Sequence, residues 1–471
     1  QLTMKLLKTW RDNWKYPTSL VCIYGFFYTV RPLVPFYLPY LTGPDKNFTE
    51  RQVVINEVYP MGTYGNLAAQ VPVFLLTDWL RYNDVVIFQC VAIFISTAIS
   101  RWSTSVPEMQ ASEFIFGVAS ACEVAYYSYI YSMVDVNKYR RATSYVRGVQ
   151  LLGHTGGSVL GQLISSFKFL SFNDAAVLTL ILLAIGLTAS LLLPMPQWSM
   201  FFHKKTKGTN LNISGEHIEQ TGETENEDER EETANKTEDP QELAVPQTCG
   251  NIVVQMIRDA RDCFASKKLL YWSLWWVLGT CGFNQVQSFV QSLWENVQPS
   301  QNATIYNGVV EAAGGLLSAA TVYAVGYKET IFEQWEELAL GGFSGLCSVI
   351  LFVLTFSSNI WVNYATWIIF KCVYMALMTL AMFHIATGLT MERYALVFGA
   401  NYFAAGVFQA VFVSIVVSDR GLGLGIIRSV QSIICSSYFL VITAIFLLRG
   451  LYVIWSRKTK KQTSVPSMKN E

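Results

Sequence analysis

Twelve stretches, each long and apolar enough to cross a lipid bilayer as a helix, constrain this chain more than any other feature of its sequence. A bilayer core takes about 20 such residues to span, because backbone N–H and C=O groups in hydrocarbon must bond within the segment. The stretches lie near 17–41, 55–78, 83–104, 107–133, 142–166, 172–196, 268–296, 305–328, 332–356, 360–388, 394–417 and 424–455. Of 471 residues, 52% are hydrophobic and 14% charged, more apolar surface than one water-soluble core takes up. The expected class is an all-α membrane protein in contact with lipid.

About 65 residues separate the sixth and seventh stretches and the other connections are far shorter, so the spans divide six plus six. That predicts twelve transmembrane helices in two bundles of the major-facilitator type around a central cavity. The boundaries read as 1–202 for the N-terminal bundle, 203–265 for a connecting loop, 266–456 for the C-terminal bundle and 457–471 for a tail. The loop contains GEHIEQTGETENEDEREETANKTEDPQE, too polar to offset its ordering entropy, and is expected to be disordered.

Charge placement gives the orientation. Lys204, Lys205, Lys207, Arg258, Arg261, Lys267 and Lys268 flank the loop, and Lys138, Arg140, Arg141, Arg393, Arg457, Lys458, Lys460 and Lys461 fall on the same side as the basic N-terminus. Cytoplasmic edges carry this excess, so both termini are expected in the cytoplasm. Two sequons, Asn47-Phe48-Thr49 and Asn302-Ala303-Thr304, fall in opposite-side loops, marking Asn47 and Asn302 as glycosylation candidates on a plasma-membrane protein. Asn212 and Asn235 match the pattern on the cytoplasmic side.

Several classes drop out. Lys plus Arg (34) balance Asp plus Glu (34), which gives no global field for nucleic acid. The nine cysteines are scattered singly, without metal-ligand spacing or a disulfide framework. No P-loop, HExxH or GxSxG stands out, so neither ATP-driven transport nor an enzyme is expected, and no cofactor.

Ionisable groups inside hydrocarbon cost at least ~2.5 kcal/mol each on insertion scales, so each needs a partner, a wet cavity or a task. Arg31, Glu113, Glu123, Arg147, Glu311, Lys371 and Arg428 are such groups. Arg31, beside Pro32 and Pro35, reads as a kink whose guanidinium pairs with a carboxylate or carbonyls. Glu123 shares a helix face with Tyr126, Tyr127 and Ile130, and a carboxylate among aromatic rings makes a cation seat; pairing with Arg147 or Lys371 is the alternative. Gly148, Gly153, Gly156, Gly157 and Gly161 in RGVQLLGHTGGSVLG allow close packing or rocking, and His154 among them reads as a structural imidazole or a proton carrier. Asp78 and Arg81 in LLTDWLRY are similar to the acidic-basic motif after the second span of major-facilitator carriers, where such a pair latches the inward gate.

Longer motifs carry a closer resemblance. YGFFYTVRPLVPFYLPYLTGPDKNFT (24–49), PVFLLTDWLRY (72–82), EVAYYSYIYS (123–132), SQNATIYNGVVEA (300–312) and ERYALVFG (392–399) resemble the folate/thiamine carrier family, solute carrier family nineteen. The resemblance leans toward the thiamine carriers, since folate carriers have Arg where Glu123 stands and Lys where Gln409 stands. It implies a substrate cavity lined by Glu123, Tyr126, Asn284 in GFNQV and Tyr59 in NEVYP, with Tyr127 beside them. Glu123 meets the charged end of the vitamin, Asn284 pairs with an aminopyrimidine edge, and the tyrosines stack on its rings. Two positions depart from the family: Val34 replaces its Glu and Gly62 its Trp.

The leading expectation is a plasma-membrane carrier, acting as a monomer, for thiamine or a related cationic or pyridine-type vitamin. Two alternatives stay open: an anion carrier for folate or thiamine phosphate using Arg147 and Lys371, and a non-transporting paralogue that binds ligand.

Overall fold

The computed structural model describes residues 15–49, 57–134, 139–196, 249–300, 304–327, 336–386, 389, 391–417 and 428–463. Among these, the regular structure is helical. Helix α1 (Lys15–Thr29) ends where Pro32 removes a donor and disfavours helical backbone at Arg31. A 3-10 turn (Val34–Phe36) then leads into α2 (Tyr37–Thr42). The first half continues through α3 (Tyr59–Trp79), α4 (Asn83–Trp102), α5 (Val106–Ala121), α6 (Glu123–Met133), α7 (Tyr139–Phe167) and α8 (Phe172–Leu191). Capping boxes, Ser105 with Glu108 and Ser171 with Asp174, start α5 and α8 by satisfying donors that a helix N-terminus leaves open.

The second half opens with the amphipathic α9 (Cys249–Phe264) and continues as α10 (Lys267–Val297), α11 (Asn307–Tyr327), α12 (Glu336–Phe356), α13 (Ile360–Ala386), α14 (Met391–Phe412) and α15 (Arg428–Thr463). Helix occupies all twelve expected stretches, and among the described residues seven segments are long and apolar enough by themselves to cross a membrane. The fourth stretch is two helices rather than one, parted at Cys122, whose ψ of −7° departs from the helical value. The fifth, α7, carries Arg147 and His154. Of the loop expected to be disordered over 203–265, residues 203–248 lie outside the described residues, as does the sequon at Asn302, whereas Cys249–Phe264 is helical.

Each half has its own apolar core. One gathers Tyr24, Val86, Cys90, Tyr129 and Leu183, the other Trp272, Trp276, Leu351, Trp367 and Phe446. Ile181, Val349, Leu440 and Leu448 are exposed on the outside, as contact with lipid requires. The halves meet chiefly along two seams, α3 on α14 and α7 on α11.

Glycines set how closely the helices approach. A Cβ on Gly117 would stand 2.1 Å from the Gly62 carbonyl oxygen, and one on Gly65 2.2 Å from that of Phe114, so α3 and α5 touch backbone to backbone. On α7, added Cβ atoms at Gly157 and Gly161 would strike Arg31 N and Pro32 O, at 2.7 and 2.1 Å, so these glycines receive the kinked end of α1. Gly148 and Gly156 have nothing within 4 Å of an added Cβ.

That contrast sets an expectation for thermal unfolding of the purified protein in detergent. Gly117→Ala costs about 1–3 kcal/mol by overpacking, whereas Gly148→Ala leaves the midpoint unchanged or raises it, by up to about 1 kcal/mol from helix propensity.

Candidate substrate cavity

Between the halves lies a cavity of about 580 Å³. The break after α1 brings Arg31, Val34 and Tyr37 to its wall, and the α3–α5 contact brings Tyr59, Gly62 and Glu113. Glu123 lines it from the first turn of α6, just past the Cys122 break. The second half contributes Asn284, Gln291, Tyr402 and Gln409, among others. The volume suits a small molecule of two rings.

Several sequence-predicted residues meet here. Glu123 faces the cavity, bordered by Gln150 and Tyr127, whose hydroxyl donates to Gln150 Oε1 at 2.5 Å. Asn284 donates through Nδ2 to Gln409 Oε1 at 3.2 Å, which fixes the direction of its amide on the wall. Tyr59 stacks on Tyr37 with ring centroids 6.1 Å apart, forming an aromatic ledge.

Others do not. Tyr126, expected to stack on substrate, is only 2% exposed and lies beneath the wall, its ring 5.7 Å from that of Tyr24. The neighbouring α1 explains this: Gly25 leaves room for the Tyr126 hydroxyl, and an added Cβ there would stand 2.1 Å from it. Tyr127 also lies off the lining, under the Arg147 guanidinium at 5.3 Å. Arg31, expected to pair with a carboxylate or carbonyls, sits over the rings of Phe116 and Tyr28 at 5.3 and 5.5 Å. Arg81 occupies a tight turn with φ of 55°, followed by Tyr82 at 69°, but the side chains of Asp78 and Arg428 are outside the description.

Lys371 and Glu311 form a unit apart from the cavity lining. Lys371 Nζ donates to Glu311 Oε2 at 2.7 Å, and Trp367 Nε1 donates to Oε1 at 2.9 Å. Both side chains are about nine-tenths buried, at 8% and 10% exposure. His154 Nε2, on α7 across the seam, stands 3.9 Å from the same Oε2. Glu123 therefore finds no partner in Lys371. Among the described residues neither Glu113 nor Glu123 forms an ion pair within 4.0 Å.

Glu113, marked by the sequence as a group that needs a partner, a wet cavity or a task, stands on the cavity wall. Its Oε1 accepts the Tyr37 hydroxyl at 2.7 Å, and its Oε2 faces Gly62. A carboxylate in an apolar run signals a wet wall or a buried pair alike, and only the α3–α5 contact decides which.

The motifs behind the expected resemblance recur across the chain: residues 12–431 match the family described as the reduced folate carrier. The chain belongs to that family. Two relatives of this carrier are thiamine transporter 2 of Macaca fascicularis, 42% identical over 97% of this chain and 94% of its own length, and thiamine transporter 1 of Homo sapiens, 42% identical over 96% and 92%. In three dimensions it is similar to a mutant of the nucleoside transporter NupG, with a TM-score of 0.60, 12% identity, and coverage of 93% of this chain and 99% of that one. The fold is thus the major-facilitator one, and the carrier is a multi-pass membrane protein related to transporters rather than to enzymes.

The buried pair yields a stability test. Lys371→Ala leaves a buried carboxylate without its cation and lowers stability by about 3–5 kcal/mol, while the double change Glu311→Gln with Lys371→Met costs clearly less. Unfolding midpoints of the purified variants measure the difference.

Proposed function

We propose that this carrier takes up thiamine or a closely related organic cation across the plasma membrane by alternating access, acting as a monomer with both termini in the cytoplasm. The observation that carries the reading is Glu123, a carboxylate on the cavity wall with no ion pair among the described residues. An organic cation in the cavity supplies the counter-charge for this carboxylate. Asn284, with its amide fixed by Gln409, offers a hydrogen bond to the edge of a heteroaromatic ring, and the Tyr37–Tyr59 ledge gives a ring a surface.

The anion reading finds less support. Of its two cations, Lys371 is held by Glu311 and Arg147 stands off the lining, over Tyr127. Among the described residues, the ionisable side chains of the acidic and basic kinds that line the cavity are Arg31, Glu113 and Glu123, two carboxyl groups to one guanidinium.

The orientation rests on the excess of Lys and Arg at the side of the N-terminus, and Asn47, exposed in the turn after α2, belongs to the opposite side. On this reading its side faces outward and accepts glycan.

Two experiments bear on this. Cells expressing the chain should accumulate labelled thiamine saturably, and Glu123→Gln should cut uptake about tenfold or more at equal surface expression, the loss of one charge-assisted contact. Folate uptake instead, or no uptake despite equal surface amounts, would sink the reading. Glycosidase treatment should increase the gel mobility of the wild type by one glycan, a shift that disappears in Asn47→Gln.

A further inference from the structure

Away from the cavity, the last helix carries a cation where lipid should touch it. Along α15, Val441, Ile445, Leu448, Tyr452 and Trp455 are exposed at alternate spacings of four and three, which places them on one face of the helix. That face is apolar and belongs to lipid, and the rings of Tyr452 and Trp455 end it as amphipathic groups do at the headgroup level. Arg449 borders the same face, next to Leu448, and is exposed as well. It precedes Trp455 by six residues, roughly 9 Å toward the bilayer interior at 1.5 Å per residue.

Its surroundings aim it at a particular corner. The Arg449 guanidinium lies over the ring of Tyr271 on α10 at 5.9 Å, and Tyr271 rests on Phe446 with ring centroids 4.9 Å apart. Lys267 and Lys268 precede Tyr271 by four and three positions, share its side of α10 and are exposed. These basic side chains collect where α10 enters the membrane and α15 leaves it. Among the described residues, no carboxylate lies within 4.0 Å of any of the three.

A cation on the hydrocarbon side of an interfacial ring needs an anion or water at its tip. The cytoplasmic leaflet supplies the anion, since its lipids carry net negative headgroups and basic groups at a helix edge attract them. A guanidinium forks onto phosphate oxygens through two N–H bonds, and the Tyr271 ring holds the fork in position. Lys267, about one helical turn nearer the cytoplasm than Tyr271, meets the outer part of the headgroup. The acyl chain then lies along Leu448, Ile445 and Val441.

We infer that Arg449, Tyr271 and Lys267 form a binding site for the headgroup of an anionic phospholipid in the inner leaflet. The choice of leaflet rests on the orientation proposed above, whereas the site itself is independent of cargo.

The test uses the full chain purified in neutral detergent, with phosphatidylserine and phosphatidylcholine bearing the same fluorescent acyl chain. Anisotropy on titrating in protein gives each Kd. The wild type should bind phosphatidylserine about tenfold tighter than phosphatidylcholine, and Arg449→Gln and Lys267→Gln should each weaken phosphatidylserine roughly fivefold while leaving phosphatidylcholine unchanged. Lys168→Gln, which removes an exposed cation from the opposite side of the membrane, should change neither. Monodisperse elution and unchanged unfolding midpoints without lipid show that the variants are folded.

Equal affinity for the two lipids, a preference that survives in folded Arg449→Gln, or an equal loss in Lys168→Gln would overturn the site. Displacement of phosphatidylserine by millimolar inorganic phosphate, beyond that by chloride at equal ionic strength, would overturn the lipid as its occupant. A C-terminal tag reached by antibody on intact cells would overturn the leaflet, and failure of thiamine uptake with the lipid preference intact would remove the cargo reading alone.

Discussion

The contact between α3 and α5 determines much of what the first half presents to the cavity. Where backbone meets backbone at Gly62, Gly65 and Gly117, two helices lie closer than any side chain would permit. The approach sets Glu113 on the wall and Gly62 in front of it, and it carries the chain to the break at Cys122, beyond which Glu123 begins a new helix. In lipid such packing has no hydrophobic effect between the helices to drive it, so surface fit must supply the adhesion.

Ionisable groups take two forms here, and the difference is one of neighbours rather than residue type. Glu311 has an ammonium, an indole N–H and a nearby imidazole around it, and its charge is matched inside the protein. Glu113 and Glu123 have hydroxyl and amide neighbours and an open cavity before them. Truncating one member of the matched group strands a charge in low dielectric.

Much of this architecture was legible in the sequence. Apolar runs of membrane length placed the helices because the bilayer leaves backbone few other options, and the long polar insertion divided them in half. Glu123, Asn284 and Tyr59 could be picked out as wall residues through their motifs, and the structure brings them to one cavity. Tyr126 lies under the wall because i and i+3 neighbours share a helix face without sharing its exposure: α1 covers the one and not the other. Glu113 was visible as a costly residue, but nothing local distinguishes a paired carboxylate from a waiting one. For Arg31 the local sequence suggests a carboxylate or carbonyls as partner, and the tertiary positions of Phe116 and Tyr28 put its guanidinium over two rings.

The two ends of the interface between the halves are held by different physics. Toward Asn47, directional bonds cross it: Gln162 donates to Ile305 O and accepts from the Gly308 N–H, Asn307 donates to Pro35 O, and Gln291 donates to Val34 O. Toward α9 the packing is apolar, with Met256 and Leu396 buried among Phe74 and Leu75. Parting the first end trades these bonds for bonds to water at nearly equal free energy, whereas parting the second wets hydrocarbon and raises the heat capacity. The balance between the two openings therefore drifts with temperature even without cargo, so that warmth alone changes how often each side of the membrane sees the cavity.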